Sequence, residues 1–292
     1  MRASLPTTIW IDGQYYTRET AKVSVFDHGL LYGDGVFEGI RVYDHHIFRL
    51  REHLARLYDS AKAIALTVPM AIDELMRQTE EAVARSGMAD AYLRHLITRG
   101  VGDLGLDPRK CPRASVIIIV DTIKLFPAEK LAEGLVVVTA STPIPNREAL
   151  SPRVKSLNYL AHIMAKLEGI NAGADEVIML AADGEVAEGS GQNIFVVKHG
   201  VLKTPPPSVG ILQGVTRDAV LELAAELGIP AREEHLNRYD VYTADEAFFT
   251  GTASELVPIR MVDGREIGSE RPGPATLKLQ AAFRALVHRA PG

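Results

Sequence analysis

The chain contains a single cysteine, Cys111. One thiol cannot close an intrachain disulfide and is too few for a thiolate metal cluster. Cys111 lies between Lys110 and Pro112 with nothing nearby resembling an orienting base, so an ordinary thiol stands against the reading of a nucleophile. Long apolar runs are also missing. The most apolar one, residues 116–120, is far too short to cross a bilayer, and residues 1–10 have no extended apolar core of the secretory kind. Charge of one sign is not in excess: the net charge of −5 gives no broad attraction to nucleic acid or to anionic membranes. His28, His45, His46 and His53 lack the i, i+4 spacing of metal ligands, so solvated or packed imidazoles are expected and no metal. No internal repeat or low-complexity tract is present. These absences leave a cytoplasmic enzyme acting on small molecules as the expected class.

What is present is an ordinary globular composition, 47% hydrophobic and 24% charged, over 292 residues, enough for two domains. Residues 8–11 and 14–16 read as a hairpin around Asp12-Gly13, and residues 36–43 as a further strand. Residues 49–64 have helical spacing, with Leu50, Leu54, Leu57 and Ala61 on one stripe. A second helix is expected over 72–86, and strands over 91–98 and 114–120. Residues 121–130 show no strand period and contain Pro127; they read as an interdomain connection, dividing the chain into 1–120 and 131–292. Beyond it, strands are expected over 134–141, 176–180, 193–198 and 246–250, with helices over 157–172, 216–227 and from about 274 to 287. Strands and helices mix without strict alternation, which argues for a mixed α/β (α+β) fold over a regular doubly wound sheet.

Three segments carry chemistry. Lys155 sits among small and apolar residues in Arg153-Val154-Lys155-Ser156-Leu157-Asn158-Tyr159, where desolvation would lower its pKa and make the amine nucleophilic; the alternative is a solvated surface lysine. Glu188 precedes Gly189-Ser190-Gly191 and could keep a pyridine nitrogen protonated, or be a turn carboxylate facing water. Thr216 follows Gly214 and opens a helix, whose unpaired N–H groups suit a phosphate as well as they suit a simple N-cap. Gly251-Thr252-Ala253-Ser254 is a similar small-residue loop, and the two loops matter only if they meet. Tyr92 and Arg94 alternate with Leu93 and so share a strand face, where the arginine could clasp a substrate carboxylate or form a structural salt bridge.

Taken in order, Tyr32-Gly33-Asp34-Gly35-Val36-Phe37-Glu38-Gly39-Ile40-Arg41, the Lys155 segment, the Glu188 segment, Gly214-Val215-Thr216-Arg217 and Gly251-Thr252-Ala253-Ser254-Glu255 resemble the class IV (fold type IV) pyridoxal phosphate aminotransferases, most closely those of branched-chain amino acids. The resemblance covers essentially the whole chain. It implies a small α/β domain followed by a larger, partly barrel-like α/β domain, the cofactor between them, a homodimer, and a mobile loop corresponding to residues 121–130. It implies that Lys155 is the Schiff-base lysine and proton shuttle, Glu188 the pyridine-nitrogen partner and Tyr159 the donor to the cofactor's phenolic oxygen. Arg56, Val215, Thr216 and Thr252 would bind the phosphate. Tyr32, Phe37, Gly39, Tyr92 and Arg94 would shape the substrate pocket, and Gly251, Thr252 and Ala253 would offer backbone N–H groups to the substrate carboxylate.

The implied reaction is exchange of the amino group between branched-chain L-amino acids and 2-oxoglutarate. One methylene is worth only about 1–3 kcal/mol in a hydrophobic pocket, so Leu, Ile and Val should all react. Two rivals share the scaffold. A D-amino acid aminotransferase would place Arg and His after Thr98-Arg99-Gly100, where residues 101–106 contain neither. An aminodeoxychorismate lyase would need no 2-oxo acid. A non-catalytic binding protein fits poorly with Lys155 and Glu188 both in place.

Overall fold

The computed structural model describes residues 7–289. They form two compact units. The first holds residues 7–123 and Val154–Asn158, and the second holds Lys124–Arg153 and Tyr159–Arg289.

In the first unit the chain runs β1 (Thr8–Ile11), β2 (Gln14–Tyr16), α1 (His28–Tyr32), β3 (Gly35–Tyr43), β4 (His46–Ile47), α2 (Leu50–Ala63), α3 (Ile72–Ser86), β5 (Ala91–Thr98) and β6 (Ser115–Asp121). The strands pair antiparallel in the order β2-β1-β6-β5-β3-β4. Asp12-Gly13 closes the first hairpin with positive φ at both residues, as a tight two-residue loop requires. Alternation decides the faces. Val36, Ile40, Val42, Leu93, Ile97, Val116, Ile118 and Val120 form the core together with the α2 stripe Leu50, Leu54, Leu57 and Ala61. Helix α3 adds Leu75, Ala82 and Val83. Glu38 and His95 share that buried face and are directly paired across β3 and β5.

The second unit runs α4 (Ala128–Glu133), β7 (Leu135–Thr139), α5 (Leu160–Asn171), β8 (Glu176–Leu180), β9 (Val186–Gly189), β10 (Asn193–Lys198), β11 (Val201–Thr204), α6 (Val215–Glu226), β12 (Ala231–Glu233), α7 (Arg238–Tyr242), β13 (Glu246–Gly251), β14 (Glu255–Val262), β15 (Arg265–Glu266) and α8 (Pro274–Val287). The path β10-β13-β14-β7-β8-β9 returns to β10, so six strands close into the barrel-like ring that the resemblance implied. The closing rung is one pair, Asn193 opposite Glu188. Leu135, Val137, Ile178, Val186, Ile194, Val196, Phe249, Val257 and Ile259 make one buried cluster of this unit. Phe195 and Phe248 stack 5.2 Å apart in adjacent strands. No helix among the described residues is long and apolar enough to cross a membrane.

Two expectations need correcting. The connection expected over 121–130 ends in structure: Pro127 leads into α4, whose first residue is Ala128. The helix expected from residue 157 begins at Leu160, because residues 155–157 are engaged in strand-like pairing described below.

Candidate active site

In the first unit, β3 and β5 place Phe37 opposite Leu96, Gly39 opposite Arg94 and Arg41 opposite Tyr92. Phe37, Gly39, Tyr92 and Arg94 therefore share the sheet face that α2 and α3 leave uncovered. The Arg94 guanidinium lies over the Phe37 ring at 4.7 Å and the Tyr92 ring at 5.5 Å, and its Nη2 donates to the Tyr92 hydroxyl at 3.2 Å. Among the described residues these are the contacts of Arg94, and an ion pair with a carboxylate is not one of them. Gly39 makes this packing possible: a Cβ there would come 1.9 Å from the Tyr92 hydroxyl oxygen. Burial raises the Tyr92 pKa, so the phenol keeps its proton. Tyr32 sits at the end of α1, and its hydroxyl donates to the Leu104 carbonyl at 2.5 Å.

Lys155 is held beside this face. The Phe37 N–H donates to the Lys155 carbonyl at 2.9 Å, the Leu157 N–H donates to the Gly35 carbonyl at 2.9 Å, and Val36 bridges Ser156. The Lys155 N–H donates to Ser60 Oγ of α2 at 3.2 Å. Asn158 Nδ2 donates to the Gly33 carbonyl at 2.9 Å. The half-buried Lys155 thus has a fixed backbone, and its Nζ lies 4.8 Å from the centre of the Phe37 ring.

Beneath the same strand lies a charged network centred on Glu38. Glu38 is fully buried. Arg56 grips its carboxylate side-on, with Nε 2.6 Å from Oε1 and Nη2 2.9 Å from Oε2. His53 Nδ1 lies 2.9 Å from Oε2, and the Gly39 N–H lies 3.2 Å from the same oxygen. Burial alone would raise the Glu38 pKa; the Arg56 charge and the His53 hydrogen bond overcome it and hold the carboxyl well below the usual range. Burial lowers the His53 pKa against the pull of Glu38. In this contact Nδ1 is the donor, because the carboxylate can only accept. His95 is buried as well and its pKa is lowered by burial to about 4. The Thr79 hydroxyl donates to the Leu75 carbonyl, so His95 Nε2, 2.8 Å from that hydroxyl, is the donor. Arg56, expected only as a phosphate ligand, thus has two of its five N–H donors on Glu38.

In the second unit Glu188 lies within β9, one residue before its end, and is buried, which removes the reading of a turn carboxylate facing water. Its Oε2 accepts from Asn193 Nδ2 at 3.1 Å and from the Leu212 N–H at 3.2 Å. Asn193 also donates to the Leu212 carbonyl at 2.8 Å. Helix α6 starts at Val215 after Gly214, which supplies no side-chain cap, and Val215 and Thr216 are both buried. A Cβ on Gly214 would sit 2.1 Å from Asn193 Oδ1. Gly251 ends β13, and residues 252–254 turn the chain into β14. A Cβ on Gly251 would meet Ser254 Oγ at 3.0 Å and Gln192 Cγ at 3.4 Å, and the neighbouring Thr250 is paired with Asn193. Gly214 thus lies against Asn193, and Gly251 against the adjacent Gln192. Tyr159 precedes α5, its ring stacked on His162 at 4.5 Å.

The donor set of this unit fits a ligand with a phosphate and a basic ring nitrogen. An uncapped N-terminus of a twelve-residue helix offers N–H groups and positive potential, next to a buried carboxylate held by two donors. Filling the backbone space at Gly214 would collide with Asn193. Cys111 is half-buried; burial and the Asp34 charge raise its pKa, consistent with an ordinary thiol.

Residues 35–262 match the family described as amino-transferase class IV. A putative branched-chain-amino-acid aminotransferase of Methanocaldococcus jannaschii is 48% identical over 276 residues, 94% of this chain and 95% of that protein. The crystal structure of the Escherichia coli branched-chain amino acid aminotransferase superposes with a TM-score of 0.93 at 40% identity, covering 97% of this chain and 95% of that one. The branched-chain amino acid aminotransferase of Thermobaculum terrenum, solved in its PLP-form, has a TM-score of 0.89 at 31% identity, covering 98% and 95%. The chain belongs to the class IV aminotransferases, within their branched-chain-amino-acid group.

Proposed function

We propose that the protein transaminates L-leucine, L-isoleucine and L-valine with 2-oxoglutarate, giving branched 2-oxo acids and L-glutamate, with pyridoxal 5′-phosphate as cofactor. The observation that carries this reading is Lys155, pinned by backbone hydrogen bonds with its amine against Phe37, on the strand that also presents Gly39 to Tyr92 and Arg94. Bound pyridoxal 5′-phosphate supplies a carbonyl that takes the amino group and a ring that accepts charge from the substrate Cα. Lys155 carries the cofactor and moves the Cα proton, for which its fixed backbone and apolar neighbour suit it. Glu188 keeps the proton on the ring nitrogen. The N–H groups of Val215 and Thr216, with the side chains of Thr216, Thr252 and Arg56, bind the phosphate. Tyr159 donates to the phenolic oxygen. The backbone of Gly251, Thr252 and Ala253 receives the substrate's α-carboxylate. Phe37, Tyr32 and Tyr92 line the side-chain pocket, and Arg94 with Tyr92 receives the distal carboxylate of 2-oxoglutarate. The working form is a homodimer in the cytoplasm.

The test mixes holoenzyme with L- and D-amino acids and follows cofactor absorbance, with borohydride reduction and peptide mapping in parallel. Turnover of all three branched L-amino acids with 2-oxoglutarate as acceptor, and a label on Lys155, are expected. Faster reaction with D-alanine than with any branched L-amino acid, turnover without a 2-oxo acid, or a label on another lysine would overturn the reading.

A further inference from the structure

We infer that Asn193 is a positioning residue that joins the ring-nitrogen carboxylate Glu188 to the phosphate-binding start of α6. Resting on the cofactor reading above, this assigns work to the one polar residue in the Glu188 segment whose side chain touches both places. Asn193 Nδ2 donates to Glu188 Oε2 at 3.1 Å and to the Leu212 carbonyl at 2.8 Å, two residues before Gly214. Leu212 closes the triangle with its own N–H on the same carboxylate oxygen at 3.2 Å. On its other side the amide oxygen stands where a Gly214 Cβ would be, 2.1 Å away, so Asn193 also fills the space left by the residue preceding α6.

The position in the fold separates this role from a purely structural one. Asn193 and Glu188 form the sole described rung between β9 and β10 that closes the strand ring. Backbone groups make that rung, and any residue but proline could supply them. Closure of the barrel therefore does not require an amide side chain at position 193. Because paired residues project to the same face, the rung does place the amide beside the carboxylate. Asn193 is 5% exposed and Glu188 is 6% exposed, so neither can exchange this partner for water without exposing the other. An amide is the only uncharged side chain of this size that gives one donor to Glu188, a second to Leu212 and an acceptor toward the helix start.

The consequence is that both ends of the bound cofactor depend on one side chain. Asn193→Asp keeps size and shape, and packing alone would tolerate it, but it replaces both donors with acceptors and puts a second carboxylate against Glu188. The measured quantity is the Kd for pyridoxamine 5′-phosphate, which makes no covalent bond to the chain, titrated into the full-length apoenzyme. Wild type, Asn193→Asp, Glu188→Gln and the double variant form a cycle. In the wild-type background Asn193→Asp should raise Kd on the order of tenfold or more. In the Glu188→Gln background the same change should raise it much less, since the amide introduced at position 188 can then donate to the carboxylate introduced at position 193. Visible circular dichroism of the bound cofactor should weaken in Asn193→Asp while far-ultraviolet circular dichroism stays unchanged. Asn193→Ser, which brings no charge, is measured alongside in case the aspartate variant fails to fold, and should also raise Kd on the order of tenfold. Binding by Asn193→Ser within twofold of wild type overturns the role. So does an equal penalty for Asn193→Asp with and without Glu188. Wild-type protein that does not bind pyridoxamine 5′-phosphate would instead remove the cofactor reading itself, which distinguishes the two failures.

Discussion

Gly39→Ala is the sharpest probe of the proposed substrate face. Gly39 lies in extended backbone within β3, so alanine meets no conformational obstacle and the ladder to β5 is kept. The added methyl would lie 1.9 Å from the Tyr92 hydroxyl oxygen and 2.7 Å from its Cζ, where ordinary contact needs roughly 3.5–4.0 Å. These atoms are the far end of a side chain that can rotate, so the ring swings and the strand stays. Swinging breaks the 3.2 Å bond from Arg94 and takes the Tyr92 ring out from under the guanidinium, while Phe37 remains stacked on it. A hydrogen bond of a charged donor contributes about 1.5–3 kcal/mol and an exposed cation–π contact about 0.5–1 kcal/mol. Since the bond is long and half-buried, a loss of about 1.5–3 kcal/mol in transition-state stabilisation is expected, roughly tenfold to a hundredfold in kcat/KM. The assay is single-turnover reaction of holoenzyme with L-leucine, with the Kd of pyridoxamine 5′-phosphate and the Tm measured on the same samples. Kd and Tm should hardly change. In a Tyr92→Ala background the methyl has room, so Gly39→Ala should add nothing there. A half-reaction within twofold of wild type, or equal losses with and without Tyr92, would refute the steric reasoning.

Arg94→Ala should slow the 2-oxoglutarate half-reaction about tenfold to a hundredfold more than the leucine half-reaction, because only the former brings a second carboxylate; equal losses in the two halves would assign Arg94 to the pocket's shape alone. Acid should weaken the first unit through His95. Its folded pKa of about 4 lies below the ordinary value of 6.5, so the unfolded chain takes up the extra proton and stability falls as pH drops from about 6.5 towards 4, then levels off. Thermal melts of wild type and His95→Gln across this range should converge as pH falls, since glutamine can keep the Thr79 contact but cannot titrate; parallel curves would show that His95 plays no part in the acid sensitivity.

The elements most readily read from sequence are those whose periodicity is uninterrupted. The α2 stripe, α3 over Ile72–Ser86, β5 over Ala91–Thr98 and α8 over Pro274–Val287 all lie where apolar spacing places them. Strand β14 escapes a reading by pattern because Pro258 breaks the run that marks a strand. It is nonetheless paired on both sides, with its register to β7 shifting between Ile259 and Met261. The start of α5 is displaced for a tertiary reason. Leu157 and Asn158 are compatible with a helix, but Leu157 is held by Gly35 and Asn158 by Gly33, and nothing in the local sequence announces partners more than a hundred residues away.

The candidate site divides the same way. Lys155, Glu188 and Thr216 stand out because each lies in a short motif of distinctive composition. The alternation of Tyr92 and Arg94 also predicts their shared face without a structure. Glu38 is different: it sits inside the motif that ends in Arg41, yet a carboxylate between Phe37 and Gly39 could equally face solvent. Its burial follows only once strand register is known, because Val36, Ile40 and Val42 define the covered face and His95 lies opposite on β5. With that face assigned, the rest follows from helix geometry. His53 and Arg56 are three residues apart on α2 and so project to one side, each within hydrogen-bond distance of a carboxylate that needs both of them to stay charged in an apolar core. Two demands thus fall on Arg56: the core requires its charge beside Glu38, and the proposed function would have it bind a phosphate. A motif match can suggest the second demand, but the first emerges only from packing.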